Sequence, residues 1–183
     1  MGNKTTNNGK ILLVEDDPQD VKMTLAALEE IELANMVAVV RNGAEALDYL
    51  YRRGRFQTRP DGDPILVLLD NKMPKVGGLQ VLKTIKADEH LNTIPVVALT
   101  SSRLPSDLIE FYKNGVNAYV VKPVGFSEFV KAVKRLAVFW MEVNEPPPAA
   151  WRKENGLQDG DPTLPKKKED QNEIPAPLAA VGK

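Results

Sequence analysis

Five short apolar segments, separated by longer amphipathic ones, constrain the fold of this chain more than any other feature. They are residues 11–14, 37–40, 65–69, 96–99 and 119–121. Each is too short for a helix, β-branched residues are frequent, and none alternates cleanly between apolar and polar side chains. Strands that are buried on both faces of a parallel sheet have this composition. The pattern therefore predicts five parallel strands between about Lys10 and Asn144.

The segment after the first strand has the features of a helix. Asp17 is a suitable N-cap, Pro18 occupies the first helical position, and Val21, Leu25 and Leu28 follow at helical spacing. Four more helices are predicted. The second runs from the Asn42 and Glu45 capping box to near Gly54, and the third contains Leu79, Leu82 and Ile85. The fourth runs from Pro105 to Asn114 with Gly115 as C-cap, and the fifth is long and begins near Ser127. Five strand–helix repeats predict an α/β, doubly wound parallel sheet.

Changes in composition set the domain boundaries. Residues 1–9 are polar and predict a disordered lead-in, and residues 10–148 predict one folded domain. Three consecutive prolines at 146–148 end the fifth helix. Residues 149–183 are rich in Pro and Lys and lack the apolar surface for a core of their own, so we expect a tail and no second, effector domain.

The overall charge and composition exclude several classes of protein. The net charge is −1, so nothing in the balance of charge favours binding to nucleic acid or to an anionic membrane. The N-terminus lacks the apolar core of a signal peptide, and no run approaches the roughly 18 apolar residues of a membrane helix. There are no cysteines, which is in keeping with a cytoplasmic protein.

Polar residues stand directly after four of the five predicted strands. Glu15 and Asp16 follow the first strand, Asp70 the third, Thr100 the fourth and Lys122 the fifth. The carboxyl ends of parallel strands meet at one edge of the sheet, where ligands bind at the switch point of strand order. We therefore expect carboxylates, a hydroxyl and an amine from distant parts of the sequence to meet in one shallow site.

Such a site suits phosphoryl transfer. Clustered carboxylates repel one another unless a hard cation lies among them, and their oxygen ligands favour Mg²⁺. Asp70 is the expected nucleophile, because a carboxylate can form an acyl phosphate, while Lys122 and Thr100 can bind other phosphoryl oxygens. No glycine-rich nucleotide loop follows the first strand, so a phosphohistidine on a partner is the expected donor.

Several of these residues could have a structural role instead of a functional one. Asp17 is better explained as a helix cap than as a metal ligand, and Thr100 alone could cap the next helix. Tyr119 could be a core aromatic, and Lys122 before Pro123 is a common loop dipeptide. Two rival functions are an aspartyl-phosphate phosphatase, which needs an aspartate where Lys72 stands, and a scaffold with this fold but no phosphorylation.

Four segments resemble the motifs of response-regulator receiver domains: residues 13–18, 69–74, 99–101 and 119–123. The resemblance covers roughly Lys10 to Asn144 and implies a flavodoxin-like fold with a five-stranded parallel sheet in the order 2-1-3-4-5. It implies a phospho-accepting signalling protein rather than an enzyme, with slow autodephosphorylation. It also assigns the site residues: Asp70 as phospho-acceptor, Lys122 as phosphoryl contact, Thr100 and Tyr119 as switch residues, and Asp16, Asp70, the Lys72 carbonyl and, through water, Glu15 as ligands of Mg²⁺.

Residues 43–50 and 139–148 are similar to single-domain response regulators that partner phytochrome-type sensor histidine kinases. That resemblance implies a sensor histidine kinase as partner and a tendency to dimerise. Three residues depart from the family pattern: Asn71 and Lys72 after the acceptor, and Gly77, where an acidic residue is common. The Lys72 cation near the phosphoryl group is expected to change the lifetime of the acyl phosphate, which a comparison with Lys72→Ala would test.

The fifth helix carries more apolar surface than one core contact needs. One stripe is predicted to face the core, comprising Phe126, Phe129 or Val130, Val133, Leu136 and Trp140. Beyond it the last turns are apolar nearly all round, with Ala137, Val138, Phe139, Met141 and Val143. A helix that is apolar on every face buries more than one side. Packing beneath the tail is one explanation, and we favour a homodimer through this helix and the C-terminal segment.

Overall fold

The computed structural model describes residues 11–59 and 62–146. The predictions for the lead-in at 1–9 and the tail at 149–183 lie outside the described residues. The strands are β1 (Ile11–Val14), β2 (Val37–Val40), β3 (Leu66–Leu69), β4 (Val96–Thr100) and β5 (Ala118–Val121). The helices are α1 (Pro18–Glu29), α2 (Gly43–Leu50), α3 (Gly78–Ala87), α4 (Pro105–Lys113) and α5 (Phe126–Val138), the last continued by a π-helical turn at Phe139–Val143. Short 3₁₀ turns lie at Ala34–Met36 and Gly54–Phe56.

The five strands form one parallel sheet in the order β2-β1-β3-β4-β5. The predicted flavodoxin-like order is confirmed. The chain moves outward from β1 to β2 and then returns to the other side of β1 with β3. This reversal creates a crevice at the carboxyl ends of β1 and β3, where ligands bind in open α/β sheets.

Successive residues of the central strands enter two separate cores, which explains why these strands are apolar throughout. Leu12 and Val14 pack with α2, α3 and α4 on one face of the sheet. Ile11 and Leu13 pack with α1 and α5 on the other face. The helices thus cover both faces and leave the edge formed by the strand ends open for polar residues. Within the described residues, no helix has both the length and the apolar character needed to cross a bilayer.

The predicted helix starts agree with the structure, while one helix end and one core residue differ. The Asp17 side chain accepts hydrogen bonds from the N–H groups of Gln19 and Asp20, and Asn42 caps α2. However, α2 ends at Leu50 rather than near Gly54, because Arg52 adopts a left-handed conformation (φ 54°) and a separate 3₁₀ turn follows.

Phe126, predicted to face the core, is instead 60% exposed. It is the first residue of α5, and the buried residues of this helix begin only at Phe129. The other predicted stripe residues of α5 do pack against the core: Phe129, Val130, Val133, Leu136 and Trp140.

Candidate functional site

Strand register brings the acidic residues of the site together. Val14 of β1 pairs with Leu69 of β3, so Glu15 and Asp70 leave the sheet at neighbouring positions. The Asp70 N–H donates to the Val14 carbonyl at 3.0 Å, which extends the strand pairing by one residue. The carboxylates therefore converge because the backbone ladder fixes both of them, as expected for residues at the carboxyl ends of adjacent parallel strands.

The same kind of pairing fixes the lysine and the hydroxyl on the other side. Thr100 of β4 pairs with Val121 of β5, and the Lys122 N–H donates to the Thr100 carbonyl at 2.8 Å. Lys122 thus begins at the sheet edge, and its side chain reaches across to residues that follow β1 and β3.

The Lys122 ammonium lies among three carboxylates. Its Nζ atom is 2.6 Å from Glu15 Oε2, 2.7 Å from Asp20 Oδ2 and 3.1 Å from Asp70 Oδ1. The side chains of Lys122, Glu15 and Asp70 are all less than a tenth exposed. The contacts with Glu15 and Asp20 are charge-assisted hydrogen bonds, which are among the strongest that side chains make, and the contact with Asp70 is an ion pair.

Burial and mutual contact shift the pKa values of this cluster. Burial raises the pKa of the Glu15 carboxyl to about 7, although the Lys122 ammonium opposes the shift. Burial alone would lower the pKa of Lys122, but the hydrogen bonds to Asp20 and Glu15 raise it above its ordinary value. One ammonium faces more carboxylates than it can neutralise, so the site keeps excess negative charge.

Glu15, Asp16 and Asp70 fit a divalent cation. Each offers one carboxylate oxygen, and these three atoms lie within 4.8 Å of one another. Asp16 is half-buried at the rim, so the cluster is reached from solvent on one side. Hard oxygen ligands with room for water are the donor set that Mg²⁺ prefers. The three acidic residues predicted around the metal are therefore brought together.

Thr100 and Tyr119 lie in a hydrogen-bonded group beside the site. Thr100 is fully buried, and its Oγ1 accepts the N–H of Ser102 at 3.2 Å. The Tyr119 hydroxyl donates to the Ser102 carbonyl at 3.1 Å, and its ring packs edge-on against Phe111 of α4. Both predicted switch residues therefore contact the same β4–α4 loop.

The residues that follow the acceptor connect it to α4. The Lys72 N–H donates to Asp70 Oδ2 at 2.8 Å, whereas the Lys72 residue as a whole is exposed. Asn71 Nδ2 donates to Asp107 Oδ2 at 3.1 Å, and the Ser102 hydroxyl donates to the same oxygen at 2.5 Å. The unusual Asn71 thus joins the acceptor loop to the first turn of α4.

A close backbone contact explains why glycine opens α3. A Cβ atom on Gly78 would clash with the Asp70 carbonyl, and the Gly78 N–H donates to the Asn71 carbonyl at 2.9 Å. Gly77 has more room, since its nearest neighbour is 3.4 Å from a Cβ built there. The acceptor loop therefore rests directly on the start of α3.

Sequence reasoning missed Asp20, Ser102 and Asp107. Asp20 lies in the first turn of α1, where an acidic residue is already explained by the helix dipole. Asp107 lies in the first turn of α4 and has the same explanation, whereas Ser102 lies in the loop before that helix. The sequence feature that could have indicated Asp20 is its position about one helical turn after the Glu15–Asp16 pair. At that spacing its side chain can reach the end of the first strand.

Comparison with known protein families connects this geometry to a function. Residues 11–134 match the response regulator receiver domain. This chain belongs to the response regulator receiver domain family. The matched region begins at β1 and ends within α5, so it includes all five strands and every predicted site residue.

Several similar proteins are response regulators, and two of the solved ones are described as phytochrome or bacteriophytochrome response regulators. Response regulator Rcp1 of Synechocystis is 35% identical over 132 residues, which cover 72% of this chain and 88% of Rcp1. The solved structure of the bacteriophytochrome response regulator AtBRR is 58% identical with a TM-score of 0.60, covering 74% of this chain and 97% of AtBRR. The phosphorylated cyanobacterial phytochrome response regulator RcpA is 36% identical with a TM-score of 0.72, covering 76% of this chain and 99% of RcpA.

These likenesses confirm the predicted family, the fold and the relation to phytochrome response regulators. A Mn²⁺-bound form of Rcp1 has also been solved. The role of each individual site residue in this chain, by contrast, remains a prediction.

Proposed function

We propose that this chain is a response regulator that accepts a phosphoryl group on Asp70 from a sensor histidine kinase. One observation carries the proposal. The Asp70 carboxylate lies 3.1 Å from the Lys122 ammonium and within a cluster of carboxylate oxygens that fits a divalent cation. A nucleophile, a positive charge and a metal site are the components that phosphoryl transfer needs.

The transfer step exchanges one bond to phosphorus for another. A carboxylate oxygen of Asp70 forms a P–O bond while the P–N bond of the kinase phosphohistidine breaks. The imidazole nitrogen leaves with the electron pair and then takes up a proton. Lys122 donates to a phosphoryl oxygen, and the Thr100 hydroxyl would bind another once the β4–α4 loop has moved. Slow attack of water on the phosphorus of the acyl phosphate would later release inorganic phosphate and restore the Asp70 carboxylate.

Mg²⁺ is the cofactor that this site would hold. Asp16, Asp70 and the Lys72 carbonyl would bind it directly, and Glu15 would bind it through water. When bound, the ion would neutralise charge on the carboxylates and on the transferred phosphoryl group. The fit of the three acidic residues, described above, supports this assignment.

Thr100 and Tyr119 would report phosphorylation to the surface formed by α4, β5 and α5. Their shared contact with the β4–α4 loop supports this role, because movement of Thr100 would change the carbonyl that Tyr119 binds. The Tyr119 ring also touches Phe111 of α4. Phosphorylation would thus shift the balance between two existing arrangements of this surface.

The proposed donor is a phytochrome-type kinase in the cytoplasm. The similarity to AtBRR and RcpA, both described as phytochrome response regulators, supports this choice. The net charge of −1 gives no support for nucleic acid as a partner.

The proposed assembly is a homodimer through α5 and the C-terminal segment. Phe139 and Val143, in the π-helical turn, are 48% and 63% exposed, whereas Trp140 and Met141 pack against the core. This turn therefore buries one side and leaves an apolar side open. Light scattering at micromolar concentration should detect a dimer that Phe139→Ser weakens. A monomer both with and without phosphorylation would contradict the assembly.

Phosphotransfer from a kinase tests the proposed function. A purified phytochrome-type histidine kinase is first autophosphorylated with radiolabelled ATP and then mixed with wild-type protein, Asp70→Asn or Asp16→Asn. We expect label to move to the wild type only when Mg²⁺ is present, none to reach Asp70→Asn, and much less to reach Asp16→Asn. Equal labelling of Asp70→Asn would contradict the assignment of the acceptor.

A further inference from the structure

The Lys122 ammonium has three N–H donors, and each has a carboxylate within reach. Two of these carboxylates, on Glu15 and Asp70, belong to the predicted site. The third, on Asp20, has no assigned role, although its 2.7 Å contact with Nζ is shorter than the 3.1 Å contact made by Asp70.

Asp20 approaches the lysine from a separate structural element. It lies in the first turn of α1, whose start is fixed by the Asp17 cap and by Pro18. Its side chain is 24% exposed, and its carboxylate is not part of the group of ligand atoms that fits a metal ion. Asp20 can therefore keep its contact with Lys122 when the charge of Glu15 is drawn toward a cation.

We propose that Asp20 is a positioning residue for Lys122. Glu15 and Asp20 accept hydrogen bonds from the ammonium at 2.6 and 2.7 Å, and these two contacts hold Nζ 3.1 Å from Asp70 Oδ1. A phosphoryl group on Asp70 brings its oxygens to the same place. The inference rests on the proposed function, because it concerns the efficiency of transfer to Asp70.

A purely structural role for Asp20 predicts a different result. An acidic residue in the first turn stabilises a helix through its dipole, whatever happens at Lys122. A positioning residue, in contrast, acts only through the lysine. Removing Asp20 should then slow transfer when Lys122 is present and have little further effect when it is absent.

The test measures the rate of phosphoryl-adduct formation by intact mass, with acetyl phosphate as donor and Mg²⁺ at saturation. The Asp70 oxygen forms the P–O bond as the bond to acetate breaks, and acetate leaves. Asp20→Asn keeps the shape of the side chain and removes its charge. Glu30→Gln is the matched control, because Glu30 also lies at an end of α1 and binds a lysine, Lys134, at 2.9 Å.

We expect Asp20→Asn to slow adduct formation by about tenfold or more, because a hydrogen bond between charged groups is lost. Glu30→Gln should leave the rate of adduct formation unchanged. In protein that also carries Lys122→Gln, where adduct formation is followed over longer times, Asp20→Asn should lower the rate of adduct formation little further. A second readout needs no phosphorylation: the ¹⁵N-labelled Lys122 ammonium should exchange its protons faster in Asp20→Asn than in the wild type.

Three results would overturn the inference. They are a wild-type rate in Asp20→Asn, an equal loss with and without Lys122, and unchanged proton exchange at Lys122. If the wild type gains no adduct from acetyl phosphate and no phosphoryl group from a phosphorylated kinase, the proposed function fails, and this inference fails with it. If the wild type forms the adduct normally and Asp20→Asn forms it at the same rate, the inference about Asp20 is wrong while the proposed function stands.

Discussion

Replacing Lys122 with methionine should destabilise the protein strongly in the absence of metal. The variant keeps the length of the side chain but leaves Glu15 and Asp70, which are 4% and 7% exposed, without their counter-charge. Removing one partner of a buried ion pair typically costs about 3–5 kcal/mol. Asp20 adds little to this loss, because at 24% exposure water can solvate it. The loss is a large part of the roughly 5–15 kcal/mol by which domains are stable.

Both Mg²⁺ and a lower pH should reduce the difference in free energy of unfolding between Lys122→Met and the wild type. Mg²⁺ supplies the missing positive charge and should bind the variant more tightly than the wild type, and each tenfold gain in affinity stabilises the variant by about 1.4 kcal/mol more than the wild type at saturating metal. Burial already raises the pKa of Glu15 to about 7, and loss of the ammonium raises it further. Because a raised pKa favours the folded state at low pH, the stability of the variant should fall as the pH rises from about 5 to 8.

Urea unfolding followed by circular dichroism measures this effect at two pH values, with and without Mg²⁺. Lys134→Met is the matched control, because the Lys134–Glu30 pair is 33% and 57% exposed and such pairs contribute about 0–1 kcal/mol. A Lys122→Met variant as stable as Lys134→Met would refute the reasoning. A stability difference between Lys122→Met and the wild type that neither Mg²⁺ nor a lower pH reduces would also refute it.

Three further predictions concern other parts of the fold. Gly78→Ala should unfold at lower urea concentration than the wild type, since its Cβ would clash with the Asp70 carbonyl, whereas Gly77→Ala should unfold near the wild-type midpoint. Burial lowers the pKa of Lys86 to about 8, so between about pH 8 and 10.5 the folded state binds fewer protons than the unfolded state. In that window, unfolding titrations should show stability rising with pH less steeply in Lys86→Met than in the wild type. Asp17→Ala removes the cap of α1 and should cost about 1 kcal/mol in the same assay, and an unchanged midpoint would contradict the capping role.

The sheet could be predicted from the sequence because its central strands are buried on both faces. Residues 11–14 and 65–69 are apolar throughout, as a strand between two helical layers requires. Helix starts were also predictable, since Asp17 and Asn42 cap their helices through local hydrogen bonds. The end of α2 was not, because the left-handed turn at Arg52 lies in a segment whose residue types do not demand one.

The candidate site was predictable as far as strand ends determine it. Glu15, Asp70 and Lys122 each follow a strand directly, and the register of the sheet then brings them together. Asp20 was not predictable in the same way, because its contact with Lys122 depends on how α1 packs beside the sheet. A helical residue one turn from a strand end can face the site or solvent, and only the packed structure decides which.

The measurement that tests the central claim most directly is intact-mass analysis after incubation with acetyl phosphate and Mg²⁺. Wild-type protein is compared with Asp70→Asn and with wild type from which metal has been removed. A single phosphoryl adduct that requires Mg²⁺ and is absent from Asp70→Asn is the predicted result. No adduct on folded wild-type protein, followed by failure of transfer from its kinase, would contradict the account and favour a receiver-like scaffold that binds partners without phosphorylation.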